Sequence, residues 1–144
     1  MVCRDSRTWW GFATMSDRSD SSDRLPMICL DRGQIGQKAG LDITVKSAVG
    51  PARLFAPTWA MVRGHQAKTL DNASYVRAYE DILNSRTLAA WRWLTRQAQG
   101  GALTFLCYCP DQNSDGGRKF CHTRILIAYM IKRWPKLFLD LQND

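Results

Sequence analysis

The pattern of apolar and polar positions along the chain predicts three β-strands. An apolar run over residues 25–30 (LPMICL) and a run rich in β-branched residues over 41–45 (LDITV) predict the first two. The third, from Ala102 to Cys109 (ALTFLCYC), is apolar at almost every position, which is typical of a strand buried on both faces of a parallel sheet. We therefore expect this third strand at the centre of the sheet.

The spacing of apolar residues also predicts three helices. The first covers about residues 73–84, with Asp71 or Asn72 as its N-terminal cap. The second covers about residues 87–99, and the third covers about 120–134 and stops before a proline. The residues of the second helix that are predicted to face the core are Leu88, Trp91 and Leu94. Strands and helices in this order predict a single-domain α/β sandwich with a mostly parallel sheet.

Three segments lie outside these predicted elements. Residues 1–24 are rich in Ser, Asp and Arg toward their end and are predicted to form a flexible arm before an α/β domain over 25–144. The glycines between residues 33 and 40 predict a loop, and residues 55–59 (FAPTW) predict a shaped loop or short turn because Pro57 interrupts them.

Cysteines and a histidine flank the loop between the third strand and the third helix. Cys107 and Cys109 end the strand, and Cys121 and His122 begin the helix. The loop between them (PDQNSDGGRK) consists of turn-forming residues, so it can bring the two ends together. We expect the four side chains to converge beyond the carboxyl end of the strand, where α/β sheets bind their ligands.

Three kinds of chemistry suit this cluster. Three thiolates and an imidazole form a complete zinc ligand set, although the spacing is not a common zinc motif. Alternatively, Cys121 at a helix N-terminus could be a thiolate nucleophile with His122 as acid or base. As a third alternative, the free N–H groups of the helix start could hold a phosphate together with Thr123 and Arg124.

The charge and composition narrow the choice of partner. The net charge is +7, and residues 1–25 contain four arginines and four aspartates, so the whole excess lies in residues 26–144. Such an excess suits nucleic acid, a nucleotide or an acidic protein surface, or serves solubility alone. Trp91 and Trp93 are interpreted as core and boundary residues, with base stacking as the alternative.

The sequence further predicts a soluble, cytoplasmic protein. Five cysteines, three of them clustered, favour a reducing compartment over a disulfide framework. No segment approaches the length of a membrane span or a signal sequence. The motifs of P-loop nucleotidases, zinc deaminases and α/β-hydrolases do not occur.

The stretches LTFLCYC and FCHTRILIAYMI resemble the C-terminal signature of the domain of unknown function 488 family, in particular its short phage-type members. LDITVKSA, FAPTW and YVRAYEDIL are similar to this family too, so the resemblance covers about residues 41–134. It implies a Rossmann-like fold and a pocket at the Cys/His end, and Cys107, Cys121 and His122 match by position. The family's arginine does not match, because Thr123 stands there and Arg124 follows one residue later.

Two hypotheses of function follow. In the first, this is a small basic phage-type protein that binds nucleic acid or an acidic host protein and holds zinc at Cys107, Cys109, Cys121 and His122. In the second, it is a metal- or thiol-dependent enzyme that acts on a nucleotide or nucleic acid, with Cys121 and His122 as catalytic residues and Thr123 and Arg124 binding the ligand.

Overall fold

The computed structural model describes residues 27–110 and 120–141, and a four-stranded sheet organises them. The strands are β1 (Ile28–Gln34), β2 (Leu41–Asp42), β3 (Ala102–Cys107) and β4 (Phe138–Asp140), in the spatial order β2-β3-β1-β4. All three neighbouring pairs are parallel. The predicted α/β fold is confirmed, it is consistent with a Rossmann-like architecture, and β3 is an inner strand as expected. The predicted arm over residues 1–24 lies outside the described residues.

Four α-helices and one 3-10 helix accompany the sheet in the described residues. They are the 3-10 helix (Gly50–Phe55), α1 (Trp59–Gln66), α2 (Asn72–Asn84), α3 (Leu88–Arg96) and α4 (His122–Arg133). The last three confirm the predicted helices. At α2, the side chain of Asp71 accepts a hydrogen bond from the backbone N–H of Ser74, as the capping prediction required.

Several boundaries differ from the predicted ones. β1 continues through Gly33 to Gln34, into the predicted glycine loop, because it pairs with β3 along its length. β2 has only two residues, since the Asp42 side chain accepts hydrogen bonds from the backbone N–H and hydroxyl of Thr44 and turns the chain away. The predicted loop around Pro57 is the junction between the 3-10 helix and α1, and β4 was not predicted. Leu88 was predicted to be inward but is 57% exposed at the first position of α3.

The main hydrophobic core lies against one face of the sheet. The register aligns Leu30 with Leu103 and Arg32 with Phe105, so these side chains project from the same face. Leu30, Leu103 and Phe105 belong to the hydrophobic core, which side chains from the helices complete. These include Tyr75, Tyr79, Leu83, Trp91, Leu94, Leu126, Ile127 and Met130. Arg32 is therefore a charged residue on the core face.

Gly40 allows β2 to lie close to β3. A Cβ atom at this position would lie 2.6 Å from the backbone oxygen of Thr104, which is closer than real contacts allow. This close approach brings the residues after β2, including Ile43, beside the carboxyl end of β3. Among the described helices, none is long and apolar enough to cross a membrane.

Candidate functional site

Three free thiols converge beyond the carboxyl end of β3. Cys107 is the last residue of that strand, Cys109 follows two residues later, and Cys121 is the N-cap of α4. Their sulfur atoms all lie within 4.8 Å of one another, and the sulfurs of Cys107 and Cys121 are 3.0 Å apart. Cys107 and Cys121 are buried, whereas Cys109 is partly exposed. This cluster could hold a metal ion.

Arg32 extends from the core face of β1 into the thiol cluster. Its side chain is fully buried, with 0% exposure. Its Nη2 donates hydrogen bonds to the sulfur of Cys107 at 2.8 Å and to the backbone oxygen of Cys109 at 2.7 Å. A buried guanidinium needs such partners to offset its lost hydration. The cluster is therefore built around a fixed positive charge.

Sequence reasoning missed Arg32. The predicted first strand ended at Leu30. Residues two apart in a strand point to the same face, so Arg32 would have been assigned to the face of Leu30 only if the strand had been continued. Continuing the strand by four residues would have placed an arginine on the core face, which is the kind of buried charge that marks a site.

Thr123 links Arg32 to Cys121. Its hydroxyl accepts a hydrogen bond from Nε of Arg32 at 3.1 Å and donates one to the sulfur of Cys121 at 3.2 Å. The side chain is fully buried. Thr123 was predicted to bind a phosphate, but its hydroxyl is occupied by these two bonds. In the structure it acts to hold the Cys121 sulfur and the guanidinium in place.

His122 lies beside the thiols but is directed toward β2. Its Nε2 donates to the backbone oxygen of Ile43 at 3.0 Å, which leaves Nδ1 unprotonated in the neutral ring and 3.8 Å from the sulfur of Cys121. Burial lowers the pKa of His122, so the neutral form is favoured. Among the described residues, the ligand atoms that all lie within 4.8 Å of one another are the three cysteine sulfurs. The Nδ1 atom of His122 lies 3.8 Å from the sulfur of Cys121 but is not part of that group.

Hydrogen bonds among the thiols separate their acidities. Bonds from Cys107 and Cys109, together with one from Thr123, lower the pKa of Cys121 well below its usual value despite its burial. Hydrogen bonds to Cys107 and Cys121 raise the pKa of Cys109, because it acts as the donor to both sulfurs. The cluster thus favours the thiolate form of Cys121 at the N-terminus of α4, where the helix dipole also supports negative charge.

A groove of about 310 Å³ between α2 and α4 leads to Cys121. Its lining is mostly apolar, and Arg124, which was predicted to bind a ligand together with Thr123, lies on its wall. The lining residues are Val76, Glu80, Phe120, Cys121, Arg124, Ile125, Ala128, Tyr129 and Lys132. A small molecule in this groove would therefore lie against Cys121, which is 5% exposed.

No protein-family model, curated protein or solved structure matches this chain. The resemblance to the domain of unknown function 488 family therefore stays a prediction. The function has to be argued from the geometry of the thiol cluster and from the surface around it.

Proposed function

We propose that this chain is a zinc-binding α/β protein whose basic surface binds nucleic acid. The observation that carries the proposal is the convergence of the sulfurs of Cys107, Cys109 and Cys121 within 4.8 Å. Thiolate sulfur is a soft ligand that selects zinc over hard cations such as magnesium or calcium. The location we propose is the cytoplasm, because the three thiols of this cluster are free, whereas Cys29 is disulfide-bonded.

The spacing of the sulfurs fits a tetrahedral ion after a small movement. Zinc–sulfur bonds of about 2.3 Å place two ligand sulfurs about 3.8 Å apart. The sulfurs of Cys107 and Cys121, now 3.0 Å apart, would have to separate by about 0.8 Å. Cys121 precedes the first turn of α4 and Cys107 ends its strand, so side-chain rotation can supply this movement without a change of fold.

The charge of the site also fits zinc. Three thiolates and one Zn²⁺ carry a net charge of −1, which the buried guanidinium of Arg32 would balance. Hydrogen bonds from Arg32 to Cys107 and from Thr123 to Cys121 are of the kind that orient metal ligands. These contacts favour a zinc site over a chance meeting of buried cysteines.

His122 is the proposed fourth ligand. Its Nδ1 is unprotonated in the tautomer that donates from Nε2 to Ile43, and it already faces the sulfur of Cys121. A histidine that binds a metal through one nitrogen commonly donates its other N–H to a carbonyl. With His122 bound the site would be closed and structural, whereas without it a coordination position would stay open.

Elemental analysis of protein purified without chelators tests the zinc proposal. We expect about one zinc per chain, and removal of the metal should lower the melting temperature because metal binding contributes to folding. Cys109→Ser should weaken zinc binding strongly, while Tyr108→Phe, which changes the neighbouring residue and no ligand, should not. A chain that takes up no zinc, even when its reduced thiols are titrated with the ion, contradicts the proposal.

A second groove is the place where we propose that nucleic acid binds. It has a volume of about 320 Å³, and it combines aromatic side chains with the exposed arginines Arg92 and Arg96. The Nε1 atom of Trp91 is buried and has no hydrogen-bond partner in the described part of the chain. The groove is lined by Leu88, Trp91, Arg92, Thr95, Arg96, Trp134, Leu137 and Phe138.

The groove has the chemical features that single-stranded nucleic acid requires. Trp91 itself stacks on Tyr129, with ring centroids 5.5 Å apart, so its face is covered and only its N–H is left to donate. Trp134 is partly exposed and has the Arg133 guanidinium 4.6 Å from its ring centroid, so a base could stack only on the opposite face of the ring, and Arg92 and Arg96 could contact phosphates. The base-stacking alternative therefore moves from Trp91 to Trp134.

A salt titration with a fluorescent single-stranded oligonucleotide tests this surface. We expect affinity to fall steeply with salt, and the double change Arg92→Ala, Arg96→Ala to reduce both affinity and salt slope. The double change Arg63→Ala, Arg77→Ala removes the same charge elsewhere and is the matched control. Equal losses in both variants would mean that the net charge alone is responsible, and binding only to an acidic protein would favour the host-protein alternative.

The groove beside Cys121 supports a second candidate, a thiol-dependent enzyme that acts on a nucleotide. The access of a small molecule to Cys121 at the start of α4 is the observation in its favour. In this candidate Cys121→Ser leaves stability almost unchanged and abolishes turnover. In the structural zinc site the same change lowers stability by several kcal/mol and removes the metal.

A further inference from the structure

The sulfurs of Cys107 and Cys121 are close enough to react with each other. They are 3.0 Å apart, and Cys109 is the third free thiol of the cluster. Only one of the two, Cys121, lines the groove between α2 and α4, whereas Cys107 lies behind it with 1% exposure. One thiol can therefore meet an incoming molecule, and the second can act only on the first.

We propose that the metal-free cluster is a redox-active dithiol that reduces a small organic hydroperoxide, with Cys121 as the attacking thiol and Cys107 as the resolving thiol. The lining of the groove is mostly apolar and includes Val76, Ile125 and Ala128, which suits a ligand with a small apolar body. This activity goes beyond the proposed zinc site and uses the same sulfurs, so zinc binding and the reaction exclude each other.

The reaction takes place in two steps. In the first, the thiolate sulfur of Cys121 attacks the terminal oxygen of the hydroperoxide, the O–O bond breaks, and the leaving alkoxide takes a proton from water to become an alcohol. Cys121 is oxidised to a sulfenic acid and the hydroperoxide is reduced. In the second, the sulfur of Cys107 attacks the sulfur of Cys121, the S–O bond breaks, and hydroxide leaves with the Cys107 proton as water. A disulfide between Cys107 and Cys121 remains.

Neighbouring residues favour this division of roles. Thr123 donates a hydrogen bond to the sulfur of Cys121, and Arg32 donates one to the sulfur of Cys107, so both sulfurs are held in position before the reaction. Preorganised groups of this kind raise the rate of an intramolecular step such as disulfide closure. Because the Cys107 sulfur lies 3.0 Å from that of Cys121 and is held there by Arg32, Cys107 rather than Cys109 is expected to close the disulfide.

The test uses the full chain, freed of metal with a chelator, reduced and then separated from the reductant. One equivalent of cumene hydroperoxide should yield one equivalent of the alcohol, remove two free thiols and lower the mass by two hydrogen atoms. Peptide mapping should find the Cys107–Cys121 disulfide. Cys107→Ser should stop at a sulfenic acid on Cys121 that a dimedone probe labels, and Cys109→Ser should still form the disulfide.

Access through the groove is tested separately. Ala128→Trp should fill the groove and slow the reaction with cumene hydroperoxide by roughly tenfold or more, with a much smaller effect on hydrogen peroxide. Ala89→Trp, at an exposed position of α3 outside the groove, is the matched control and should leave both rates unchanged.

Three results would overturn the proposal. They are unchanged thiols in the wild-type chain, a disulfide that joins Cys109 instead, and equal effects of the two tryptophan variants. The outcome is independent of the zinc measurement, because the reaction is run without metal. A chain that binds zinc but does not form the disulfide refutes this inference alone, and a chain that forms the disulfide but binds no zinc refutes only the proposed metal site.

Discussion

Replacement of Arg32 by methionine tests whether the guanidinium organises the thiol cluster. Methionine keeps an unbranched apolar chain at a fully buried position but removes the charge and all donors. The bonds lost include those to the Cys107 sulfur at 2.8 Å, the Cys109 backbone oxygen at 2.7 Å and the Thr123 hydroxyl at 3.1 Å. At a net value of about 1 kcal/mol each, their loss should destabilise the metal-free protein by about 3 kcal/mol.

The assay is urea unfolding of the reduced protein in the presence of a chelator, so that no metal contributes. Arg92→Met is the control, because Arg92 is exposed on α3 and its replacement should change stability by less than about 0.5 kcal/mol. A loss of stability of less than about 1 kcal/mol in Arg32→Met would refute the reasoning. It would mean that the cost of burying the guanidinium, which methionine does not have, is as large as the gain from its hydrogen bonds.

Two other predictions concern the thiol cluster and the packing of α3. Thr123→Val keeps the shape of the side chain but removes the donor to Cys121 and the acceptor for Arg32, so it should cost about 1–3 kcal/mol in urea unfolding, whereas Thr123→Ser should recover most of the loss. Leu94→Ala, at a fully buried position of α3, should lower the free energy of unfolding by about 2–5 kcal/mol. Leu88→Ala, at a position of the same helix that is 57% exposed, should lower it by less than about 0.5 kcal/mol. Equal losses of stability in the two variants would mean that α3 packs differently.

The convergence of the cysteines was predictable because it follows from local rules. An apolar strand that ends in Cys107 and Cys109, and a helix that begins after Cys121, place their side chains at the same edge of a parallel sheet. The orientation of His122 was not predictable in this way. It depends on the backbone oxygen of Ile43, which reaches the site only because β2 lies close to β3 beside Gly40.

The elements that were missed depend on tertiary contacts. β4 has three residues, Phe138–Asp140, and it is a strand because it pairs with the free edge of β1. Leu88 matches the apolar period of α3, yet it lies at the first helical position, where the chain has not yet reached the core. A three-residue strand and a helix end carry too little periodic signal in the sequence to be assigned alone.

Arg32 also decides between the two proposed uses of the sulfurs. A zinc ion with three thiolates leaves a negative charge that the buried guanidinium balances, whereas a disulfide between Cys107 and Cys121 is neutral, so these two sulfurs offer the guanidinium no negative charge. The arginine should therefore favour the reduced, metal-loaded cluster over the disulfide. Removing it should weaken zinc binding by about 10- to 100-fold, as loss of a group that orients a metal ligand does, and make the disulfide harder to reduce. If Arg32→Met instead left both equilibria unchanged, the buried charge would serve the fold of β1 and not the chemistry of the thiols.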